Sequence, residues 1–543
     1  MIRPAGAVAH QQPHQTSPET NLAWELNGTG YEHLGQAGQP VMQPVGPPAA
    51  NQILVRIESV GVCYSDVKLL QQGDRHPKLR GRDLAEMPTR PGHEICFSIY
   101  EVGEDYEGKY EVGEQFVIQP EVRLGGKKRT YGFQIPGGLT QYQLLGPEIL
   151  ETDDGPSLIK IPDDLPSHEA ALLEPWGSVI SAYQPLRRLE PKPGGSMWVV
   201  GNPQSKKTFQ ISRFANRGVE LVLSDLPNNQ TMPEFRQSSL ADGLEANEIF
   251  DFAHQFTGGE GFDDIVVLDP FSSERIQALI RSLAPHGLII FVGQVPRGLK
   301  VEIDATRVHY DFISLVGNES GDIAASYGED RNRSDLSEGA LVLFGGAGPM
   351  GQMHIELALS RPAGPRKIVV LDINQRRLDH VQQRFEADAR EKQIEFYVHN
   401  PGSKEEQIAD WLEKNLGSRH VEDVVVFHPD AGLISSAASL LQVGSMLNLF
   451  AGTPANTNFN ISLHLITQGN LQITGASGLS LETMREALRL WEEGKLDLSK
   501  SSAATCGLNA AAEAIRAAES RRFPGKVIVF PQQPDLPVSE QLN

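Results

Sequence analysis

The sequence predicts an α/β chain with an added β domain: an irregular β-rich region first, then two tandem doubly wound parallel-sheet domains, the first of them degenerate. Three observations predict this. Residues Asn51 to Leu150 consist of short apolar stretches such as ILVRIESVGV, ICFSIYEVG and TQYQLL, broken by Gly and Pro, which is the texture of strands joined by turns. After Pro193 apolar runs alternate with helical spacing, as in MWVVGN, ELVLSD and DDIVVLDP followed by ERIQALIRSLAPHG, and that alternation implies a parallel sheet. The same pattern then repeats through ALVLFGG, KIVVLD, VEDVVVFHP, ISSAASLLQVG and MLNLFAG. Asp269 matches His428 and Gly293 matches Gly452 at one offset of 159 residues, and an offset held across separate strands indicates a tandem duplication.

The elements follow in order. Residues 1–20, rich in Gln, His and Pro, read as a flexible tail without the apolar core of a secretory signal. The β-rich domain occupies 21–190 and ends in the helical spacing of HEAALLEPWGSVISAYQPL. The degenerate copy covers 191–335, with ISRFANRG as its expected first helix, and the second copy covers 336–499. Residues 500–543 carry a helix and a short strand, GLNAAAEAIRAAESRRFPGKVIVFP, that can return to complete the β-rich domain. A chain of 543 residues exceeds one ordinary core.

A formal charge of -21 argues against nucleic acid and against anionic membranes. There is no run of about eighteen apolar residues to span a bilayer. Three cysteines cannot make a disulfide framework, so a reducing, cytoplasmic location is expected.

The second copy carries GGAGPMG between a strand and a helical stretch. Gly346, Gly348 and Gly351 fit GxGxxG, with Pro349 and Met350 between them, and Asp372 follows at the end of the next strand. The first glycine permits a tight turn, the second lets backbone approach a pyrophosphate, and the third lets the helix pack closely with its N-terminus facing the negative charge. The Asp372 carboxylate can accept from both ribose hydroxyls and would repel a 2′-phosphate, so NAD is expected over NADP. The plainer alternative is a glycine-rich helix entry with no ligand. In the first copy Asn202, Gln204 and Lys207 of VVGNPQSKK stand where the glycines would be. Their side chains fill the space of a pyrophosphate, which leaves a structural domain. Capture of another anion by Lys206 and Lys207 is the competing idea.

The β-rich domain holds GVCYSD, with Cys63, Ser65 and Asp66, then PGHEIC, with His93 and Glu94, and later LLEPWG, with Glu174. One thiolate, one imidazole and carboxylates suit Zn²⁺, and three protein ligands with an open position make a catalytic site. Spacing alone leaves this open, because Cys63 also fits a small core residue, His93 a satisfied loop histidine and Glu174 a surface carboxylate.

GVCYSD, PGHEICFSIYEVG with its downstream VGEQFVIQP, LLEPWGSVISAY, GGAGPMG and VVLDINQRRL together resemble the zinc-containing branch of the medium-chain dehydrogenase/reductase family. The resemblance implies a GroES-like catalytic domain and Rossmann-like nucleotide domains. It leans toward sugar- and polyol-type members, in which a Glu-Pro replaces a cysteine, and YGFQIPGGLTQYQLL is similar to a stretch of L-sorbose-1-phosphate reductases. It implies Cys63, His93 and Glu174 as zinc ligands and Glu94 as a fourth or exchanging one. Ser65 would pass the substrate proton outward, Asp66 would stand behind the ligands, and Arg377 would lie near the adenosine. The span from Glu101 to Tyr142 has no cysteine, so the structural zinc of some members is not expected.

The implied activity is hydride transfer between NAD(H) and a secondary alcohol or ketone of a polyol, sugar or sugar phosphate. The run Lys68, Arg75, His76, Lys78, Arg80, Arg82 and Arg90 would suit a sugar phosphate, or simply an exposed solubilising loop. The rival class is a non-catalytic nucleotide-binding scaffold or sensor built from dehydrogenase parts. Relatives commonly form homo-oligomers through the nucleotide domain, a surface the added copy would cover or replace.

Overall fold

The apolar stretches of the first 160 residues pair into one antiparallel sheet. β1 (Ile53–Gly61) is flanked by β2 (Glu94–Val102) and, over part of its length, by β4 (Tyr142–Leu145), while β3 (Gln115–Ile118) and β5 (Leu158–Lys160) continue the sheet beyond β2. The other side of β1 is taken by strand Lys526–Phe530, through Ile528↔Gly61 and Val529↔Val60, with strand Ser502–Gly507 next to it. The end of the sequence therefore returns to this sheet. α1 (Tyr64–Gln72) follows β1, and α2 (Leu173–Ser181) carries Glu174 in its first turn. Met1–Glu174 and Leu498–Asn543 make one compact unit, whose core includes Trp24, Phe97, Tyr131 and Val529.

The computed structural model describes residues 18–184, 187–210, 218–228, 230, 238–329, 333, 335–402, 408–475 and 478–540. Most of the expected tail, 1–20, lies outside these residues, although Thr20 already begins a strand, Thr20–Ala23. The expected helix ISRFANRG lies outside them except for Gly218. Among the described residues no helix is long and apolar enough to cross a membrane.

Pro175–Asp497 forms the second compact unit. Its first sheet is built from β6 (Ser196–Val200), β7 (Glu220–Ser224), β8 (Ser238–Leu240), β9 (Phe262–Leu268), β10 (Leu283–Val292) and β12 (Ser314–Asn318), in the order β8-β7-β6-β9-β10-β12. β11 (Lys300–Asp304) and α3 (Ala305–Tyr310) connect β10 to β12. The second sheet repeats it with β13 (Ala340–Phe344), β14 (Lys367–Leu371), β15 (Glu395–His399), β16 (Val421–Val426), β17 (Leu441–Leu449) and β19 (Gln472–Thr474), in the order β15-β14-β13-β16-β17-β19. α4 (Pro349–Ser360) follows β13, α5 (Gln375–Glu391) follows β14, and β18 (Asn458–Ser462) with α6 (Leu463–Thr467) precedes β19. Within both sheets every neighbouring pair is parallel. Both have the reversal of strand order beside the first strand that defines a doubly wound fold.

The likeness extends to irregularities. The register of β9 on β10 shifts between Phe262 and Asp264, and that of β16 on β17 shifts between Val421 and Asp423. Each shift carries a buried aspartate paired to an arginine, Asp264 with Arg188 and Asp423 with Arg333. The two copies, read from sequence as separate domains, share a single core: Trp198, Phe291 and Val301 of the first belong to one apolar cluster with Val342, Val424 and Phe459 of the second. The cause is a short antiparallel ribbon, β11 against β18, that joins them.

Candidate metal centre and nucleotide loop

In the first unit the chain leaves β1 at Gly61 and enters α1, and Cys63 is the residue that caps this helix. Its backbone N–H donates to Asp66 Oδ2 at 2.9 Å, which fixes the thiol at the helix entry, and its Sγ lies 3.1 Å from Ser65 Oγ. On the neighbouring strand Glu94 opens β2, and His93 directly precedes it. Gly61 faces Glu94 across the pair, and a Cβ there would collide with Glu94 Oε2. The glycine makes room for a buried carboxylate.

Cys63, His93 and Glu94 offer ligand atoms that all lie within 4.8 Å of one another. His93 and Glu94 are buried, and Cys63 is half-buried. Asp66 is buried behind them, accepts from Gly92 N at 3.0 Å, and lies 3.6 Å from His93 Nδ1, too far for a hydrogen bond. Burial alone would push the His93 imidazole down, but the Asp66 carboxylate and the Cys63 thiol hold it well above its ordinary value. Burial also works against ionised Asp66, yet His93 and the N–H groups of Cys63 and Gly92 keep its carboxyl low.

Glu174 lies outside the 4.8 Å group. Its carboxyl is pushed up to about 7 by burial, with His93 and Lys526 opposing the rise and Glu94 and Glu121 adding to it. It therefore feels the charges of His93 and Glu94 without joining the mutual 4.8 Å group.

These residues fit a bound cation. His93 Nδ1 and Glu94 Oε2 are buried and have no hydrogen-bond partner among the described residues. An unsatisfied buried polar atom costs about 1–3 kcal/mol, more when it is charged, and a divalent ion at a thiolate, imidazole and carboxylate set removes that cost.

The sequence reading missed three residues here. Lys526 is buried on its strand and pairs with Glu94 Oε1; the only signal was a lysine opening the apolar run KVIVF. Phe133 sets its ring 6.0 Å from His93 and 4.9 Å from His76, with Lys78 Nζ over its face. Glu121 binds that lysine at 2.9 Å. The basic run divides accordingly. Arg82 is committed to the carbonyls of Met87, Pro88 and Gln134, and Arg90 to Glu25 and Gln43. Lys68 and Lys78 are close enough to His76 for their charges, added to burial, to bring its imidazole down to about 4.

In the second unit the glycine loop joins β13 to α4. The left-handed residue of the turn is Gly345 (φ +70°), one position before the glycine expected to make it. N–H groups of Gly345 and Gly346 donate to Leu371 O, which holds the turn against β14. α4 starts at Pro349 with Gly348 as its cap, and a Cβ on Gly351 would collide with Gly346 O, so the third glycine admits the helix. Asp372 directly follows β14 and accepts from Ala347 N at 3.2 Å and Asn374 N at 2.9 Å. Arg377, on the first turn of α5, brings Nη1 within 3.4 Å of where a Gly348 Cβ would stand. Gly346, Gly348, Gly351, Asp372 and Arg377 thus gather around one helix N-terminus, with Pro349 and Met350 half-buried in its first turn.

Residues 49–150 match the family model of the alcohol dehydrogenase GroES-like domain. The chain is 28% identical over 327 residues to L-sorbose 1-phosphate reductase of Klebsiella pneumoniae, covering 56% of this chain and 76% of that protein. It is 31% identical over 301 residues to mannitol-1-phosphate 5-dehydrogenase of Aliivibrio fischeri, covering 50% of this chain and 69% of that protein. This chain belongs to the medium-chain alcohol/polyol dehydrogenase family. In fold the dehydrogenase resembles 2R,3R-butanediol dehydrogenase from Bacillus subtilis, with a TM-score of 0.52 at 15% identity over 94% of this chain and 99% of that one.

The corresponding loop of the dehydrogenase's first copy is closed by its own side chains. Asn202 Nδ2 donates to Asp269 O at 3.1 Å, Ser205 Oγ lies 2.5 Å from Asp269 Oδ2, and Gln204 N donates to Asn202 Oδ1. Asp225, which directly follows β7 as Asp372 follows β14, is bound by Arg275 Nη2 at 2.5 Å. No helix forms between Gly201 and Gln210.

Proposed function

We propose that the protein is a zinc-dependent dehydrogenase that transfers a hydride between NAD(H) and the secondary alcohol or ketone of a polyol, sugar or sugar phosphate. The observation that carries this reading is the convergence of Cys63, His93 and Glu94 within 4.8 Å in a family of alcohol and polyol dehydrogenases. Cys63 and His93 would hold the metal, with Glu174 as third ligand and Glu94 as fourth or exchanging ligand. Bound zinc would supply a Lewis acid to the substrate oxygen, and bound NAD(H) the hydride carrier. Asp66 orients the His93 ring and keeps its charge balanced. Lys526 holds one oxygen of Glu94 and leaves the other facing the ligand cluster. Ser65, half-exposed beside the thiol, gives the substrate proton a short path outward.

In the second unit Gly346, Gly348 and Gly351, with the N-terminus of α4, would take the pyrophosphate, and Asp372 the adenosine ribose. An acidic side chain at that place favours NAD over NADP. The three cysteines are unpaired, in keeping with a cytoplasmic enzyme. His76, Lys78 and Phe133 would form the substrate wall, where Lys78 can meet hydroxyls or a phosphate.

Metal analysis of the purified protein tests the reading, with about one zinc per chain expected. Cys63→Ala should lose zinc and turnover while keeping NADH binding. Turnover unchanged in that variant would remove the metal mechanism. Comparing a free polyol with its phosphate ester decides the substrate class.

A further inference from the structure

The two copies meet through strands that are equivalents of each other. β11 and β18 pair as Lys300↔Ser462, Val301↔Ile461, Glu302↔Asn460, Ile303↔Phe459 and Asp304↔Asn458. After Gly452 the second copy is one residue shorter than the first, so here the equivalence runs at 158 residues and sends Val301 to Phe459, Glu302 to Asn460 and Ile303 to Ile461. The pair Val301↔Ile461 is therefore exchanged with Ile303↔Phe459, and Lys300↔Ser462 with Asp304↔Asn458, while Glu302↔Asn460 maps onto itself at the centre of the ribbon. The two strands also share one burial pattern, with Val301, Ile303, Phe459 and Ile461 inward and at most 2% exposed.

The reciprocity continues beyond the ribbon. α3 of the first copy packs on β19 of the second, and its equivalent α6 packs on β12 of the first. β12 and β19, the last strands of the two sheets, lie alongside each other. A surface that meets its own equivalent in exchanged register defines an isologous, two-fold interface. Here that interface lies within one chain.

We propose that the first copy is a resident partner subunit. It covers, in the same chain, the edge that a lone nucleotide-binding domain would offer to a second copy of itself. Uncovered, β18 and β19 would present unpaired backbone together with Phe459 and Ile461, an edge prone to pair with another chain. The proposal rests on the duplication and its register, not on the redox reading, and it gives the first copy a task that needs no nucleotide. It also accounts for what that copy retains: the strand order, the irregularity at Asp264 and the paired ribbon survive, while the glycine loop does not.

The test places Glu302→Cys and Asn460→Cys together in the full chain, with each single variant as control. The two positions are exposed and directly opposite, where Cβ atoms stand about 4.5–5.5 Å apart. Oxidation should give a cross-linked species of one-chain mass, 59.5 kDa, on a non-reducing denaturing gel. A two-chain band, or no cross-link, overturns the proposal. Val301→Asp with Ile303→Asp then removes the cover from the first copy alone, and light scattering should show about twice the mass of the wild-type protein. An unchanged mass with a native melting transition overturns it as well. If this variant does not fold, the cross-link decides.

Discussion

The two copies in the second unit are nearly the same sheet with opposite fates at the loop. After β13 the backbone turns through glycines and goes straight into α4, leaving the helix N-terminus open. After β6 the equivalent residues make a turn at Pro203 and Gln204 and enter no helix before Gln210, and Asn202 and Ser205 bond to Asp269 across the crevice. Away from the loops the copies agree in strand order, in the irregular step and in the buried aspartate behind it. The contrast teaches that the shape of the loop and the packing of the sheet depend on separate residues. A loop can change its course while the layers beneath it, held by apolar burial, remain.

The sharpest way to break this comparison is to give the second loop the bulk of the first. Gly351→Val puts side-chain atoms against Gly346 O, so α4 cannot approach the turn. NADH affinity should fall by at least about a hundredfold, or roughly 2.7 kcal/mol. The mirrored change, Lys207→Val, should leave NADH affinity unaltered. Fluorescence titration reads both, and tight binding by the Gly351 variant would mean that the glycines do not serve a phosphate.

The next effect concerns the helix behind the loop. His354 of α4 is fully buried against Phe427 and Phe450, with its Nδ1 2.6 Å from the Tyr183 hydroxyl. Burial brings its imidazole down to about 3. The unfolded chain takes up this proton near pH 6.5 and the folded chain only near 3, so in that window protons favour unfolding and stability falls as pH falls. Going from pH 7 to pH 5 should cost about 2 kcal/mol through this group alone. In the first copy the equivalent residue is Gln210, which is exposed and outside any helix. His354→Gln should therefore abolish this component, measured as the difference between urea unfolding curves at the two pH values. An identical pH response in variant and wild type would show that the buried imidazole is not the sensor.

Much of this organisation was legible in the sequence because its causes are local. Alternating apolar runs fix strands, and a constant offset between VVLDP and VVFHP exposes the duplication. Gly346, Gly348, Gly351 and Asp372 lie within one strand–helix–strand unit, so spacing locates them. The cluster of Cys63, His93 and Glu94 was harder: Cys63 follows β1 and His93 precedes the neighbouring β2, and only the family resemblance joined them. Lys526 was illegible, since its partner Glu94 is 432 positions away and a single lysine before a strand carries no pattern. The common core of the copies was also hidden. KVEID and NFNIS read as ordinary short strands, and only pairing reveals that they face each other.

The retained features should respond alike in both copies, which sharpens the contrast from the other side. Arg188→Ala and Arg333→Ala each leave a buried aspartate without its cation. Both carboxyls are already raised by burial, with the arginine holding them down. Each keeps other donors, the Tyr327 hydroxyl for Asp264 and Ser337 for Asp423. The expected loss is therefore about 1–2 kcal/mol in each variant, below the usual penalty for a fully buried pair. A large loss in one and none in the other, seen by thermal unfolding, would mean that the two sheets are not energetically equivalent.

The smallest expected effect comes from restoring glycines to the first copy. Asn202→Gly, Gln204→Gly and Lys207→Gly together remove the three intruding side chains, yet they should not create a second nucleotide site. Asp225, the residue that would receive a ribose, is held by Arg275 at 2.5 Å and by Gly243 N at 2.9 Å, and its backbone is left-handed (φ +52°). A ribose would have to displace a charge-assisted hydrogen bond worth about 1.5–3 kcal/mol. No helix N-terminus forms between Gly201 and Gln210 to offer its N–H groups to the phosphates. NADH titration should remain at one per chain. Two per chain in the triple variant would show that the first copy lost its ligand through the loop alone, and that the crevice behind it never closed.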